Sequence, residues 1–143
     1  MIHINIGSNL FSNFGNKFQN IIIAINLLRN LNIKIKKISN FYETPSYPNK
    51  NFPKYVNIGV LIECNVDFQS LFKKFTYVEK KIGRFKTKKN DPRVCDIDLI
   101  DFNGLVEQDK KIKLPHPRCH IRNFVLYPIK EIDPKWVHPV LKK

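Results

Sequence analysis

Asp96 and Asp98 stand two residues apart in an apolar run from Val94 to Phe102. If that run is a strand, side chains two apart share a face, so both carboxylates project together while Ile97 and Leu99 enter the core. Two carboxylates held that close repel each other unless a cation neutralises them. Their hard oxygens suit Mg²⁺, which takes one or two carboxylates and completes its shell with water and phosphate. The polar face of any half-exposed strand can look the same, and the pair alone would not outweigh that blander reading. The residues just upstream shift the balance. From Gly83 to Arg93 the chain carries five cations (Arg84, Lys86, Lys88, Lys89, Arg93) against the single carboxylate of Asp91. A basic loop leading into a metal-binding strand is what a Mg-nucleotide requires, with the metal on the phosphate oxygens and the cations neutralising the rest.

Other candidates are weaker singly. Glu79 falls in line with Phe72, Phe75 and Ile82 on a helical face, where it can pair with a lysine or accept from a sugar hydroxyl. His116, Arg118 and Arg122 gather after Pro115 and suggest anion contact. The chain has no G-x-x-x-x-G-K-[ST] segment, so it is not a P-loop kinase, and it offers no Ser/His/Asp signature.

Several elements must position these groups. Ile2 to Ile6 alternates as a half-buried strand, and Gly7-Ser8-Asn9 turns the chain. Phe14, Phe18, Ile21, Ile22, Ile25 and Leu28 recur at helical spacing, predicting a helix from about 13 to 30 capped by Ser12 or Asn13. Ile33 to Tyr42 reads as a strand ending at Thr44-Pro45, and Tyr55 to Cys64 as its partner. Asp67 caps a second helix whose apolar face is Phe68, Leu71, Phe72, Phe75, Val78 and Ile82, closed by Gly83. Val94 to Phe102 follows, then a proline-punctuated tail of short elements. The order β-α-β-β-α-β predicts an α+β, ferredoxin-like fold: an antiparallel sheet with two helices on one face and a short C-terminal extension.

At 143 residues the chain is expected to form one domain over 1–143. No span approaches the ~20 apolar residues of a membrane helix, and no signal peptide is read at the N-terminus, so a cytoplasmic protein is expected. Cys64, Cys95 and Cys119 form no C-x-x-C pair and fit reduced thiols, the first two as core filler. A net charge of +13 favours an anionic partner, although part of it reflects a chain rich in lysine throughout.

In combination these segments resemble the 6-hydroxymethyl-7,8-dihydropterin pyrophosphokinase family. The resemblance is carried by Ile6-Gly7-Ser8-Asn9-Leu10, Phe41-Tyr42-Glu43-Thr44-Pro45, Tyr55-Val56-Asn57, Glu79 with Gly83-Arg84, Pro92-Arg93 through Asp96-Ile97-Asp98-Leu99, Pro115-His116-Pro117-Arg118 and Arg122-Asn123-Phe124-Val125-Leu126. It implies the same ferredoxin-like fold and an ATP-dependent diphosphokinase of folate biosynthesis that moves pyrophosphate from ATP to the pterin hydroxymethyl group. Asp96 and Asp98 would hold two Mg²⁺ ions and, with Arg84 and Arg93, form the catalytic set. Glu79, Arg84, Lys86, Lys89, Arg93, Lys111, Lys113, His116 and Arg122 would bind ATP. Tyr55 and Phe124 would sandwich the pterin, and Asn57, with Thr44, Pro45 and Tyr47, would read its edge. The chain departs from the family where R-W-G-P-R is usual and Lys89-Asn90-Asp91-Pro92-Arg93 stands instead, losing the tryptophan over the pterin. Thr76 also stands in place of a glutamine. The loop from Arg84 to Pro92, with little to bury, is expected to be mobile without substrate and to close over ATP. A monomer without nucleic-acid or membrane partners is expected. Two other readings stand beside this one: a homologue that binds pterin or nucleotide without turnover, and a basic ferredoxin-like RNA-binding module, whose aromatic signature the chain lacks.

Overall fold

The structure, a computed structural model, describes residues 1–45, 51–83, 93–108 and 112–143. Its elements are β1 (Ile2–Ser8), α1 (Lys17–Asn30), β2 (Lys34–Ile38), β3 (Tyr42–Thr44), β4 (Tyr55–Glu63), α2 (Phe68–Ile82), β5 (Asp96–Phe102), β6 (Glu107–Gln108), β7 (Lys113–Leu114), a 3₁₀ turn (Cys119–Ile121) and α3 (Asn123–Ile132). The main sheet runs β2-β4-β1-β5, antiparallel throughout, with β3 also on β4. This is the α+β, ferredoxin-like arrangement the element order predicts, with α1 and α2 packed together on one face.

Alternation along the strands divides the sheet into two chemically different faces. Ile2, Ile4 and Ile6 of β1, Val56, Ile58, Val60 and Ile62 of β4, and Ile97 and Leu99 of β5 join Ile21, Leu28, Leu71 and Phe75 in the main core. The intervening residues His3, Asn5, Gly7, Tyr55, Asn57, Gly59, Asp96 and Asp98 therefore face the other way. That second face is partly covered by α3, an element missing from the sequence-based reading of the tail. Pro128 inside α3 disguises it, since an interior proline usually breaks a helix.

Three boundaries also differ from expectation. β1 continues through Gly7 and Ser8 before it turns. Helix α1 begins at Lys17, not near 13, because Asn16 and Gln19 form a reciprocal capping box. Ser12 instead pairs its backbone with Gly15, leaving Phe14 half exposed. The single strand expected from 33 to 42 is two strands. Buried Ser39 donates its N–H to Gly59 O and accepts from Gly59 N–H through its hydroxyl, and Asn40 turns its N–H to the Glu131 carboxylate. The ladder consequently breaks before β3.

The C-terminal segment is tied back beneath α3. Asp133 accepts from His3 Nε2 at 2.9 Å, and Trp136 Nε1 donates to Asp101 at 2.8 Å. His3 is 1% exposed and its Nδ1 is buried without a partner. Burial pushes the His3 pKa below its ordinary value, opposed by the hydrogen bond and charge of Asp133. Between the folded and unfolded pKa values the unfolded chain binds a proton that the folded chain refuses, so stability rises with pH there. His3's contribution is full above about 6.5 and is lost as pH falls toward the folded value. Urea unfolding at pH 7.5 and 5.0 checks this. The parent chain is expected to lose more stability on acidification than His3→Gln, and equal losses would exclude His3 as a source.

All three cysteines are free thiols, Cys95 and Cys119 buried and Cys64 half-buried. Burial pushes the Cys119 thiol up to about 11, which makes it inert at neutral pH.

Candidate active site

Strand register places the candidate side chains in two rows across the α3 face. In the first row Gly7 lies between Asn57 on β4 and Asp96 on β5. In the second, Asn5 lies between Gly59 and Asp98. Neighbouring strands are ~4.8 Å apart, so Asn57 and Asp96 are separated by about 10 Å with a side-chain-free position between them. The glycine leaves room for the Asn57 amide, since a Cβ at Gly7 would run into its side-chain oxygen and displace it. Asn57 is 4% exposed, whereas Asp96 and Asp98 are half-buried. On the far side of β4, β3 sets Thr44 opposite Tyr55 and Tyr42 opposite Asn57. The Tyr42 hydroxyl donates to Glu131 of α3 at 2.6 Å, fastening the helix to this edge.

The loop after β1 is held by two asparagines from the G-S-N-L segment and α1. Asn9, 3% exposed, accepts from Arg93 N–H at 2.7 Å, donates its own N–H to Arg93 O, and reaches Pro53 O through its amide. It thereby ties together the approaches to β1, β4 and β5 that carry Arg93, Tyr55 and Asp96. Asn20, fully buried, donates to Leu10 O at 2.8 Å and reaches Val94 O. Neither residue receives a role from the sequence: Asn9 falls in a turn within a segment that carries the resemblance and Asn20 inside α1, and the backbone groups they bind are not marked by any spacing.

Glu79 is 8% exposed, and its Oε2 accepts from Ile97 N–H at 2.7 Å. The carboxylate thus grips β5 at the residue between Asp96 and Asp98. At the same edge a cavity of about 230 Å³ opens beside Asp98, lined by Phe72 of α2, Leu99, Ile112, Lys113 and His116 among others. Phe72, expected in the core, is 39% exposed and forms one wall. The Thr76 hydroxyl donates to Phe72 O within the helix.

His116 donates its backbone N–H to Ile100 O, and its Nδ1 accepts from Arg118 N–H at 3.3 Å. That bond places the ring proton on Nε2. Desolvation first, then the Arg122 charge, lowers its pKa to about 4 despite the opposing pull of Asp96. At neutral pH it is an uncharged N–H donor. Arg122 caps the start of α3 and lays its guanidinium 5.4 Å from the centre of the Phe124 ring.

Asp96, Asp98, Tyr55, Asn57, Thr44 and Phe124 thus gather on or over one sheet face, with Arg93, Arg122, His116 and Lys113 around the β5 end; Pro45 ends β3 nearby. Arg84, Lys86, Lys89, Lys111 and Tyr47, and the expectation of a closing loop over 84–92, lie outside the described residues. Two half-exposed carboxylates on one strand face form a donor set that fits Mg²⁺ with its remaining ligands drawn from water and phosphate. Among the described residues no group of three or more His, Cys, Asp or Glu side chains could hold a metal, and no helix is long and apolar enough to cross a membrane.

The sequence profile of the 7,8-dihydro-6-hydroxymethylpterin-pyrophosphokinase family matches residues 3–134. The chain is 32% identical over 142 residues to the 2-amino-4-hydroxy-6-hydroxymethyldihydropteridine pyrophosphokinase of Aquifex aeolicus, covering 99% of this chain and 86% of that protein. It is 29% identical to the Bacillus subtilis protein of the same name over 124 residues, 86% of this chain and 74% of that one. It is also 33% identical to the folic acid synthesis protein FOL1 of Dictyostelium discoideum, covering 96% of this chain but spanning only 22% of that longer protein.

Proposed function

We infer, from the premise that the chain belongs to the 7,8-dihydro-6-hydroxymethylpterin-pyrophosphokinase family, that it transfers the terminal pyrophosphate of ATP to the hydroxymethyl group of 6-hydroxymethyl-7,8-dihydropterin. The hydroxymethyl oxygen forms a bond to the β-phosphorus, the bond from that phosphorus to the α,β-bridging oxygen breaks, and AMP leaves; the hydroxyl proton is lost. The observation that carries this reading is the first row across the sheet. Asn57, side-chain-less Gly7 and Asp96 stand in line, a span that a fused two-ring heterocycle with its hydroxymethyl arm can bridge.

In this reading Asn57 offers both a donor and an acceptor to the pterin edge, supported by Thr44 and Pro45, while Tyr55 and Phe124 stack on its faces. The arm then points along the row toward Asp96. Asp96 and Asp98 hold two Mg²⁺ ions, which when bound neutralise charge on the phosphate oxygens. Glu79 fixes the strand between the two carboxylates and keeps their spacing. His116, uncharged, donates from Nε2 to a phosphate oxygen, and Arg93 and Arg122 supply full positive charge nearby. The adenine base occupies the cavity walled by Phe72, Leu99 and Ile112. Membership of this family supports an enzyme acting in the cytoplasm, which this reading takes as a monomer.

Incubation with ATP, Mg²⁺ and the hydroxymethyl-dihydropterin is expected to produce AMP and the pterin diphosphate in equal amounts. Salt-sensitive RNA binding without AMP would favour the RNA-binding reading, and ligand binding without AMP a homologue that has lost turnover. Phe72→Ala is expected to weaken an ATP analogue by about 1–2 kcal/mol through lost stacking and burial, with pterin affinity unchanged. Calorimetric titration of both ligands checks this, and equal weakening of the two would remove Phe72 from the base pocket.

A further inference from the structure

Phe124 is the second residue of α3, and its carbonyl is deprived of its usual partner. In an α-helix that oxygen accepts from the N–H four residues on. Here the fourth residue is Pro128, which has no N–H. The missing donor comes from β1: Asn5 Nδ2 donates to Phe124 O at 2.9 Å.

The surrounding geometry makes this contact specific. Asn5 is 3% exposed and lies in register between Gly59 and Asp98. Gly59 is where Pro128 packs, since a Cβ there would sit 2.7 Å from Pro128 Cβ. The proline that removes the helical donor is therefore seated one strand away from the side chain that replaces it. Above the same turn, the Arg122 guanidinium rests over the Phe124 ring.

We propose that Asn5 is a positioning residue for the pterin-stacking ring of Phe124, setting the height and direction of the first turn of α3 through the carbonyl that Pro128 leaves without a helical partner. The inference rests on the reading of Phe124 as one face of the pterin sandwich. The Asn5 amide acts through the Phe124 carbonyl. It links the strand position beside Asp98 to the residue that orients the ring, so the acceptor's clamp and the carboxylate strand are held in one frame.

A double-mutant cycle on the full chain tests this, titrating 6-hydroxymethyl-7,8-dihydropterin in the presence of Mg²⁺ and a non-hydrolysable ATP analogue. Asn5→Ala is expected to weaken pterin binding about tenfold and to raise KM for the pterin, with the analogue's affinity and KM for ATP near those of the parent chain. Asn5→Leu, of similar volume but without the donor, is expected to lose as much, which separates the lost hydrogen bond from a lost volume. Phe124→Ala should weaken the pterin as well, and combining it with Asn5→Ala should cost little more. Full additivity of the two losses overturns the proposal, as does parent-like pterin affinity in Asn5→Ala. Parallel weakening of both ligands with a lowered Tm marks a general structural role and also overturns it. If Phe124→Ala alone binds pterin like the parent, the stacking role of Phe124 fails, and that of Asn5 with it.

Discussion

Asp96→Ala and Asp98→Ala are each expected to reduce AMP formation by at least about a thousandfold, several kcal/mol of transition-state stabilisation, while the fold survives. The two parts of that expectation have separate causes. Both side chains are half-buried on the α3 face, and the core is built by their neighbours Ile97 and Leu99 on the opposite face. Truncation therefore removes no core volume. It also relieves the repulsion between two carboxylates two residues apart, so the melting temperature should hold or rise slightly. The chemistry has no such redundancy. In the proposed mechanism each carboxylate would be needed to fix cations against the charge that develops on the transferred group, and water could not impose that geometry. Glu79 is not a substitute ligand, because it faces the strand edge and is engaged with Ile97 N–H. Chromatographic assay of AMP at saturating Mg²⁺ beside a thermal melt distinguishes the outcomes. Substantial Mg-dependent turnover in either variant would move the metal site elsewhere.

Gly59→Val should be the most damaging single change to the fold around the site. At an open strand position, replacing glycine with a β-branched residue stabilises, by up to about 1 kcal/mol. Here the first added carbon would meet Pro128 Cβ at 2.7 Å and the Pro128 backbone carbon at 3.3 Å. Pro128 is rigid and buried, and Gly59 is held in the plane of the sheet by both hydrogen bonds to Ser39. Neither partner can yield cheaply. Relief comes from lifting α3, at a net cost on the order of 2–3 kcal/mol. Lifting α3 carries Phe124 and Arg122 away from Tyr55 and Asn57, so pterin affinity should fall with stability. Gly59→Ala should show the same effect in smaller measure. Urea unfolding and pterin titration of both variants measure it, and parent-like values for valine would mean that the helix is not seated tightly on this glycine.

Much of this arrangement was legible in the residues themselves. Alternation in Ile2–Ile6, the Val, Ile and Tyr content of Tyr55–Cys64, and the cap and stripe of α2 gave the layers, because burial on one face and strand propensity both mark the chain. The shared face of Asp96 and Asp98 followed from the same period. Helix α3 was hidden by a proline whose missing hydrogen bond is supplied by Asn5, a residue 119 positions away. The cavity beside Asp98 was hidden because Phe72 fits an apolar stripe equally well as core or as pocket wall. Asn9 and Asn20 act through backbone groups brought together only by folding, and no spacing along the chain encodes such partners.

The two outer edges of the sheet have a bearing on how this molecule behaves in a crowded solution. An uncovered strand invites another chain to extend the ladder, the first step of edge-to-edge aggregation. On β5, the outward Ile97 N–H is taken by Glu79 and Ile100 O accepts from His116 N–H. On β2, the edge reads Lys34-Ile35-Lys36-Lys37-Ile38, with an irregular register between Ile35 and Lys37. Two copies meeting there would press three lysines against three across a kinked ladder. Lys36 lies near Glu63 and Lys37 reaches Ile132 O, yet the edge keeps a net positive charge, so neutralising Lys34, Lys36 and Lys37 is expected to favour edge-to-edge association.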